Sequence, residues 1–306
     1  MPCLSFGRLM TPVPMEEPRS LSLALPGRGG EMAVLDFGDP QRPVDLVFLH
    51  ANGFNARTYR SILGPLAEHM RIWAPDLRGH GRSTLPTVVE GRRSWNDHRD
   101  DVLALLSTLD GPPVRIAGHS MGGTSGLLAA ARRPEAVRDL VVFDPVIWTR
   151  PAVLAFQMPG ASLWAPHFPI VKGALRRRRR FDSLEAALES YRGRGAFRGW
   201  PDAVLSDYLA DGLVPDGDGL TLAATPEWEA SNYGAQGHDP WSAMARYGGP
   251  VRILKAETGS ICRVPERPFG LPRVAVETVG GGHHLFPMVM PDRVREALLA
   301  PVPGSR

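Results

Sequence analysis

The chain has 306 residues, 43% hydrophobic and 22% charged, a balance that can bury a sizeable core and excludes wholesale disorder. Its formal net charge is only +3, and the bases are almost all arginine, with Lys172 and Lys255 the only lysines, so the arginines read as composition and not as a nucleic-acid surface. Two cysteines, Cys3 and Cys262, build neither a disulfide framework nor a zinc site; no apolar run approaches the ~20 residues of a membrane span, and a cytoplasmic setting is expected.

In chain order, residues 1–19 read as a lead-in without the apolar core of a signal peptide. "LSLALPG" (21–27) and "EMAVLDFG" (31–38) flank "GRGG" and predict a hairpin. "VDLVFLH" (44–50) is a continuous apolar run, as a buried central strand requires. A helix is expected over 58–70, then a short strand running into the glycine-rich "DLRGHGRS". A second helix is expected over 95–109 with Asp97 as its cap. "PVRIAG" (113–118) predicts a strand, 123–133 a helix stopped by Pro134, and "RDLVVFDP" (138–145) another strand.

Residues 147 to about 238 break the alternation. They hold proline-spaced aromatic patches, four of the seven tryptophans (Trp148, Trp164, Trp200, Trp228) and short helical pieces. Alternation resumes with 241–248, 249–256, 273–279 and a last helix over 291–300. Repeated βα units predict an α/β protein with a mainly parallel sheet covered by helices on both faces. The expected core is 20–146 with 239–303. Residues 147–238 are then an inserted helical cap, with a hydrophobic lid over a site and ordinary packing as its two readings.

"GHSMG" (118–122) lies between a predicted strand and a predicted helix and fits G-x-S-x-G. In that context Ser120 stands at the apex of a sharp turn, and glycines on both sides permit close backbone approach. The helix starting near Met121 aims N–H groups at a developing oxyanion. A second donor is expected from "HANGFNARTYR" (50–60), with Asn52 first, through its backbone N–H and its side chain, ahead of Gly53 and Phe54. His50 reads as a brace for that loop.

"FLHANGFNARTY", "DLRGHGRS", "GHSMGG" and "HHLFPMVMPD" follow the order seen in the α/β-hydrolase superfamily, and the chain resembles its lid-bearing branch over roughly 30–300. That branch includes small esterases, cofactor-free haloperoxidases, dehalogenases and epoxide hydrolases. The last two use an aspartate nucleophile, and Ser120 argues against both. The resemblance places His284 on the catalytic histidine of "H-x-x-P-M-x-x-P", with His283 the less favoured neighbour. His80 and His119 read as scaffold or pocket lining.

The acid is less direct. Where much of the family has Asp after "PVRILKA", this sequence has "AETGS", with Gly259 at that point and Glu257 two residues earlier. Asp144, closing "VVFD" before a proline, matches the earlier-strand position of dehalogenase-like relatives. Asp144 is preferred, with Glu257 the alternative, and either keeps the order Ser, acid, His. Phe54, His119, Trp148 and Trp200 are expected to line the pocket.

The run "LRRRRRF" (175–181) reads first as a solvated basic face and second as a recognition site for acidic groups. Glu229 either faces the pocket or pairs with an arginine. The expectation is a serine hydrolase of carboxylic esters acting on a small molecule, with no cofactor and no metal. C–C bond hydrolysis or acyl transfer on the same triad, and a non-enzymatic ligand-binding protein, are the alternatives.

Overall fold

A computed structural model describes residues 16–304; most of the lead-in, Cys3 included, lies outside the described residues. The strands are β1 (Arg19–Ala24), β2 (Glu31–Phe37), β3 (Leu46–Leu49), β4 (Ile72–Pro75), β5 (Val114–His119), β6 (Val137–Phe143), β7 (Arg180–Phe181), β8 (Leu213–Asp216), β9 (Gly219–Leu222), β10 (Val251–Thr258) and β11 (Val274–His283). The helices are α1 (Arg60–Leu63), α2 (Asn96–Leu106), α3 (Met121–Ala130), α4 (Arg150–Gln157), α5 (Pro169–Leu175), α6 (Leu184–Tyr191), α7 (Asp202–Gly212), α8 (Pro226–Gly234), α9 (Pro240–Tyr247), α10 (Phe286–Val289) and α11 (Pro291–Leu299). None of these helices is long and apolar enough to cross a membrane.

Eight strands form one sheet in the order β1-β2-β4-β3-β5-β6-β10-β11. β1 and β2 form the expected antiparallel hairpin and β2 joins β4 antiparallel; every other pairing is parallel. β3 is apolar throughout and β5 is buried throughout, because both faces of the sheet are covered there. In β3 the side chains alternate: Val47 and Leu49 enter one core with Ile116, Val142 and Ile253, and Leu46 and Phe48 enter the other with Ala117, Val141 and Leu254. Helices α2, α3 and α9 contribute to the first core, α1, α7 and α11 to the second. The sheet therefore separates two cores, and its C-terminal edge gathers the loops after β3, β5, β6, β10 and β11.

Four local expectations change. The helix of 58–70 is broken into a 3-10 turn at Ala56–Tyr59, α1 and a second 3-10 turn at Gly64–Leu66, where Gly64 and Pro65 interrupt it. Asp97 does not cap α2: it lies inside the first turn and pairs with Arg92, and Trp95 holds the cap position. β11 runs past the expected 273–279 through the glycines to His283, where it pairs with Thr258 past an irregularity, so His283 ends the strand and His284 opens the loop after it. Residues 147–238 are not wholly helical: β7, β9 and β8 form a three-stranded antiparallel sheet beside α4–α8.

α7 docks on the rest of the chain through charge. Asp211 pairs with Arg57 and Arg82, and Asp207 pairs with Arg60. The two aspartates are nearly buried and each has an arginine, which limits the cost of desolvating them.

Candidate active site

Ser120 occupies a turn that few side chains tolerate, with φ 54° and ψ −118°. β5 ends one residue before it and α3 begins one residue after. The turn closes because Gly118 and Gly122 lack side chains. A Cβ on Gly118 would lie 2.7 Å from Gly122 C, and one on Gly122 would lie 2.2 Å from Leu49 O. The Ser120 N–H donates to Phe143 O at 2.9 Å, which fastens the turn to the end of β6.

The next residue on β6 is Asp144, itself at positive φ (40°) and fully buried. Its carboxylate accepts four hydrogen bonds. Ala256 N–H (2.9 Å) and Ser260 Oγ (2.5 Å) reach Oδ1; Ile261 N–H (3.2 Å) and His284 Nδ1 (2.6 Å) reach Oδ2. Burial pushes the carboxyl upward, but the bond and charge of His284, then Ser260 and the Ala256 N–H, hold it below its ordinary range. An ionised Asp144 can only accept, so His284 Nδ1 carries the proton. Nε2 is left to accept the Ser120 hydroxyl at 3.2 Å. His284 is partly open to solvent, its side chain 27% exposed.

The competing choices lie elsewhere. His283 is exposed, and its Nδ1 accepts from Leu285 N–H. Glu257 is exposed and accepts from Gly281 N–H at 2.8 Å, which ties the ends of β10 and β11 together.

The loop after β3 is held from several sides. His50 Nδ1 donates to Ala51 O and its Nε2 accepts from Leu77 N–H, the bracing expected of it. His80 Nδ1 donates to Arg78 O, and its Nε2 accepts from Gly53 N–H at 3.0 Å. The Asn52 side chain is tied to the residues packed over this loop. Its Nδ2 donates to Glu229 O (3.0 Å) and its Oδ1 accepts from Asn232 Nδ2 (2.8 Å), both on α8. The Asn52 backbone N–H has no acceptor among the described residues. Met121 opens α3, so its N–H has no intrahelical partner.

His119 is buried directly before the serine and faces away from it. Its Nε2 donates to His284 O at 2.9 Å, an atom that can only accept. Nδ1 must therefore accept from Tyr59 Oη at 2.8 Å, and Tyr59 Oη accepts in turn from Ala51 N–H at 3.2 Å. One directed chain of hydrogen bonds thus joins the loop after β3 to the loop after β11. Burial lowers the His119 pKa to about 3, which keeps the imidazole neutral as this chain requires.

Of the expected pocket residues, Phe54 packs edge-on to Trp200 (5.4 Å between centroids) and near His119 (6.2 Å). Tyr208 and Phe197 complete that cluster. Trp148 does not join it: its ring packs on Phe156 and its indole N–H donates to Gln236, in the other core. Glu229 pairs with Arg177, whose guanidinium also donates to Tyr191 and Tyr208. The pair lies against Gly53, where a Cβ would stand 3.0 Å from the Glu229 carboxylate. One residue of the arginine run, Arg177, is thus half-buried beside the site, while Arg179 and Arg180 pair with Glu227 and Asp216 in solvent.

Sequence reasoning missed Tyr59, Ser260, Asn232 and Arg177. Ser260 stood in the stretch already noted for lacking an aspartate, and a hydroxyl there was the available signal. The other three act through contacts far apart in sequence.

Residues 46–297 match the model of the Alpha/beta hydrolase family. Among curated relatives, 2-(acetamidomethylene)succinate hydrolase of Mesorhizobium japonicum is 32% identical over 99 residues, which is 32% of this chain and 34% of that protein. Lipase LipV of Mycobacterium tuberculosis is 34% identical over 110 residues, 35% of this chain and 40% of that protein. The matched stretches thus span little more than a third of those relatives. A solved E-2-(acetamidomethylene)succinate hydrolase superposes with TM-score 0.70 at 22% identity, covering 92% of this chain and 98% of its own. A thioesterase domain from the curacin biosynthetic pathway gives 0.73 at 17% identity, covering 93% and 100%; at these identities both likenesses speak to the fold. The family match takes in both ends of the hydrogen-bonded set, from the loop after β3 to His284, and this chain belongs to the alpha/beta hydrolase family.

Proposed function

We propose that the protein is a serine hydrolase of carboxylic esters that works through an acyl-serine intermediate. The observation that carries the reading is the continuous path from Ser120 Oγ to His284 Nε2 (3.2 Å) and from His284 Nδ1 to Asp144 Oδ2 (2.6 Å). In this reading Ser120 Oγ attacks the acyl carbon as His284 Nε2 takes its proton. The tetrahedral oxyanion is met by the backbone N–H groups of Met121 and Asn52. Collapse expels the alcohol, which leaves with the proton held by His284. A water molecule then gives a proton to His284 as it attacks the acyl-enzyme, and the acid is released as His284 returns that proton to Ser120 Oγ. Asp144 stays ionised and stabilises the imidazolium. Phe54 and Trp200 form an aromatic wall suited to an apolar acyl or alkyl group, and residues 147–238 act as the cap over it.

The test is turnover of a short p-nitrophenyl ester by the full chain and by Ser120→Ala, with circular dichroism of both. Activity lost in the variant with the fold retained, and a fluorophosphonate adduct mapped to Ser120, support the reading. Undiminished turnover in Ser120→Ala overturns it. C–C bond hydrolysis and acyl transfer on the same triad differ in their products, which assays with diketone substrates and with added alcohols distinguish. A protein that only binds ligands would show no turnover at all.

A further inference from the structure

Residues 147–182 contain Arg150, Lys172 and the five arginines Arg176–Arg180, against one acid, Asp182. Seven bases and one acid give this stretch a charge of +6 in a chain whose total is +3, so the remainder is net acidic. The same stretch carries Leu154, Met158, Leu163, Trp164, Ile170 and Leu175, each more than half exposed. They are six of the eleven exposed large apolar side chains among the described residues, gathered in a small part of the chain. Soluble surfaces scatter such residues singly, so a concentration of them marks a surface that is covered in use.

The stretch is one continuous track. α4 leads through hydrogen-bonded turns (Met158 N–H to Ala155 O, Ala161 to Met158, Trp164 to Ala161, His167 to Trp164) into α5. Its inner side is already occupied: Val171 and Ala174 pack on Ala230 of α8, and Phe156 stands between Trp148 and Phe168. The outward side is therefore apolar by composition and not by failure to find a core. Lys172 and Arg176, on and beside α5, form no ion pair among the described residues. Arg179 and Arg180 make exposed pairs of the kind worth at most about 1 kcal/mol, which a phosphate can replace.

We propose that this face, α4 to the arginine run, docks on an anionic phospholipid surface, with Leu163, Trp164 and Ile170 entering the headgroup region and Lys172 and Arg176 meeting phosphates. Apolar residues with an interfacial tryptophan, in a stretch of seven bases and one acid, are the pattern of a segment that lies on a bilayer. The proposal is independent of the acyl-enzyme reading, since no residue of the triad takes part.

The experiment is co-sedimentation of the full chain, carrying Ser120→Ala so that no lipid is consumed, with vesicles of phosphatidylcholine alone or mixed with phosphatidylglycerol. Binding to the mixed vesicles is expected, falling at least tenfold between about 0.1 M and about 0.5 M salt. Lys172→Glu with Arg176→Glu should weaken it by roughly tenfold or more. Leu163→Ser with Trp164→Ser should weaken it by roughly tenfold as well. On the Ser120 background these pairs should leave the melting temperature and soluble-ester turnover unchanged, because the side chains are outside both cores. No binding to mixed vesicles, or equal binding by the charge-reversed pair, overturns the proposal. So does a dimer in solution that the Leu163/Trp164 pair dissolves while vesicle binding is absent, which would make the face a contact between two copies.

Discussion

Lowering the pH from 7 to 5 should cost this protein several kcal/mol of stability, through buried histidines and not through its carboxylates. His50, His119 and His238 are each held neutral by burial, with pKa values lowered from 6.5 to about 3. Below pH 6.5 the unfolded chain takes up protons that the folded chain refuses, so unfolding gains about 1.4 kcal/mol per group for each pH unit. At pH 5 that is about 2 kcal/mol per group and about 6 kcal/mol for three. His80 and His98 are shifted the same way, again first by burial. Asp76 opposes them: burial raises its pKa to about 7, so protonation of the folded state returns about 3 kcal/mol over the same interval. The net loss is about 3 kcal/mol before His80 and His98 are added, or roughly 5 °C in melting temperature for a chain of this size. Thermal unfolding followed by circular dichroism from pH 8 to pH 4.5 measures it. His238 stacks on Trp95 (4.4 Å, 25°), so His238→Phe keeps the stack, removes one titrating group and should flatten the slope. A melting temperature level or rising from pH 7 to pH 5 would refute the reasoning.

Five substitutions address the site. Asp144→Asn should lower kcat by up to about 10⁴-fold, whereas Glu257→Gln, which touches only Gly281 N–H, should stay near wild type; steady-state kinetics on a soluble ester decides between the two acids. Ser260→Ala removes one of the four donors on Asp144 and should lower kcat about tenfold with KM little changed, as expected for a hydrogen bond to a charge worth about 1.5–3 kcal/mol. Tyr59→Phe breaks the chain from Ala51 to His119 and should slow fluorophosphonate labelling of Ser120 while destabilising the fold by about 1–3 kcal/mol; unchanged labelling would assign Tyr59 to stability alone. Asn232→Asp keeps the acceptor that Arg92 and His98 use but sets an oxygen against Asn52 Oδ1, so kcat should fall with the fold intact by circular dichroism.

What was legible in the sequence was whatever a local pattern encodes. β3 is apolar and β5 is buried end to end because helices cover both faces, and the turn at Ser120 needs Gly118 and Gly122 at fixed spacing. The small sheet of β7, β8 and β9 was not legible, because strands of two to four residues are too short to show a period. The reach of β11 to His283 was hidden by its glycines, which carry no strand preference. Trp148 was grouped with Trp200 because both are large and apolar, yet sequence carries no sign of which of two cores a residue joins. Asp144 could be preferred over Glu257 by resemblance and by its place at a buried strand end before a proline. The physical reason for it, three donors besides His284 converging on one buried carboxylate, comes from β10 and the residues after it, more than a hundred positions downstream.

The hydrogen bonds of Asn52 bear on how residues 147–238 can move. If the segment were a lid hinged as one piece, opening it would withdraw Glu229 O and the Asn232 amide from Asn52 and leave both ends of a buried side chain unpaired. It would also draw the Trp228 indole from Arg78 O and Asn232 from the Trp95 indole and His98. Each of these five hydrogen bonds is worth about 0.5–1.5 kcal/mol net of water, so losing them together makes hinging the segment as one piece costly. α8 therefore belongs with the core it touches and fixes the loop that would meet the oxyanion. α4 has its outward side free, and α5 is anchored through Val171 and Ala174 on one side only. Any opening of the site is expected in that part of the segment, the same part that carries the apolar and basic face.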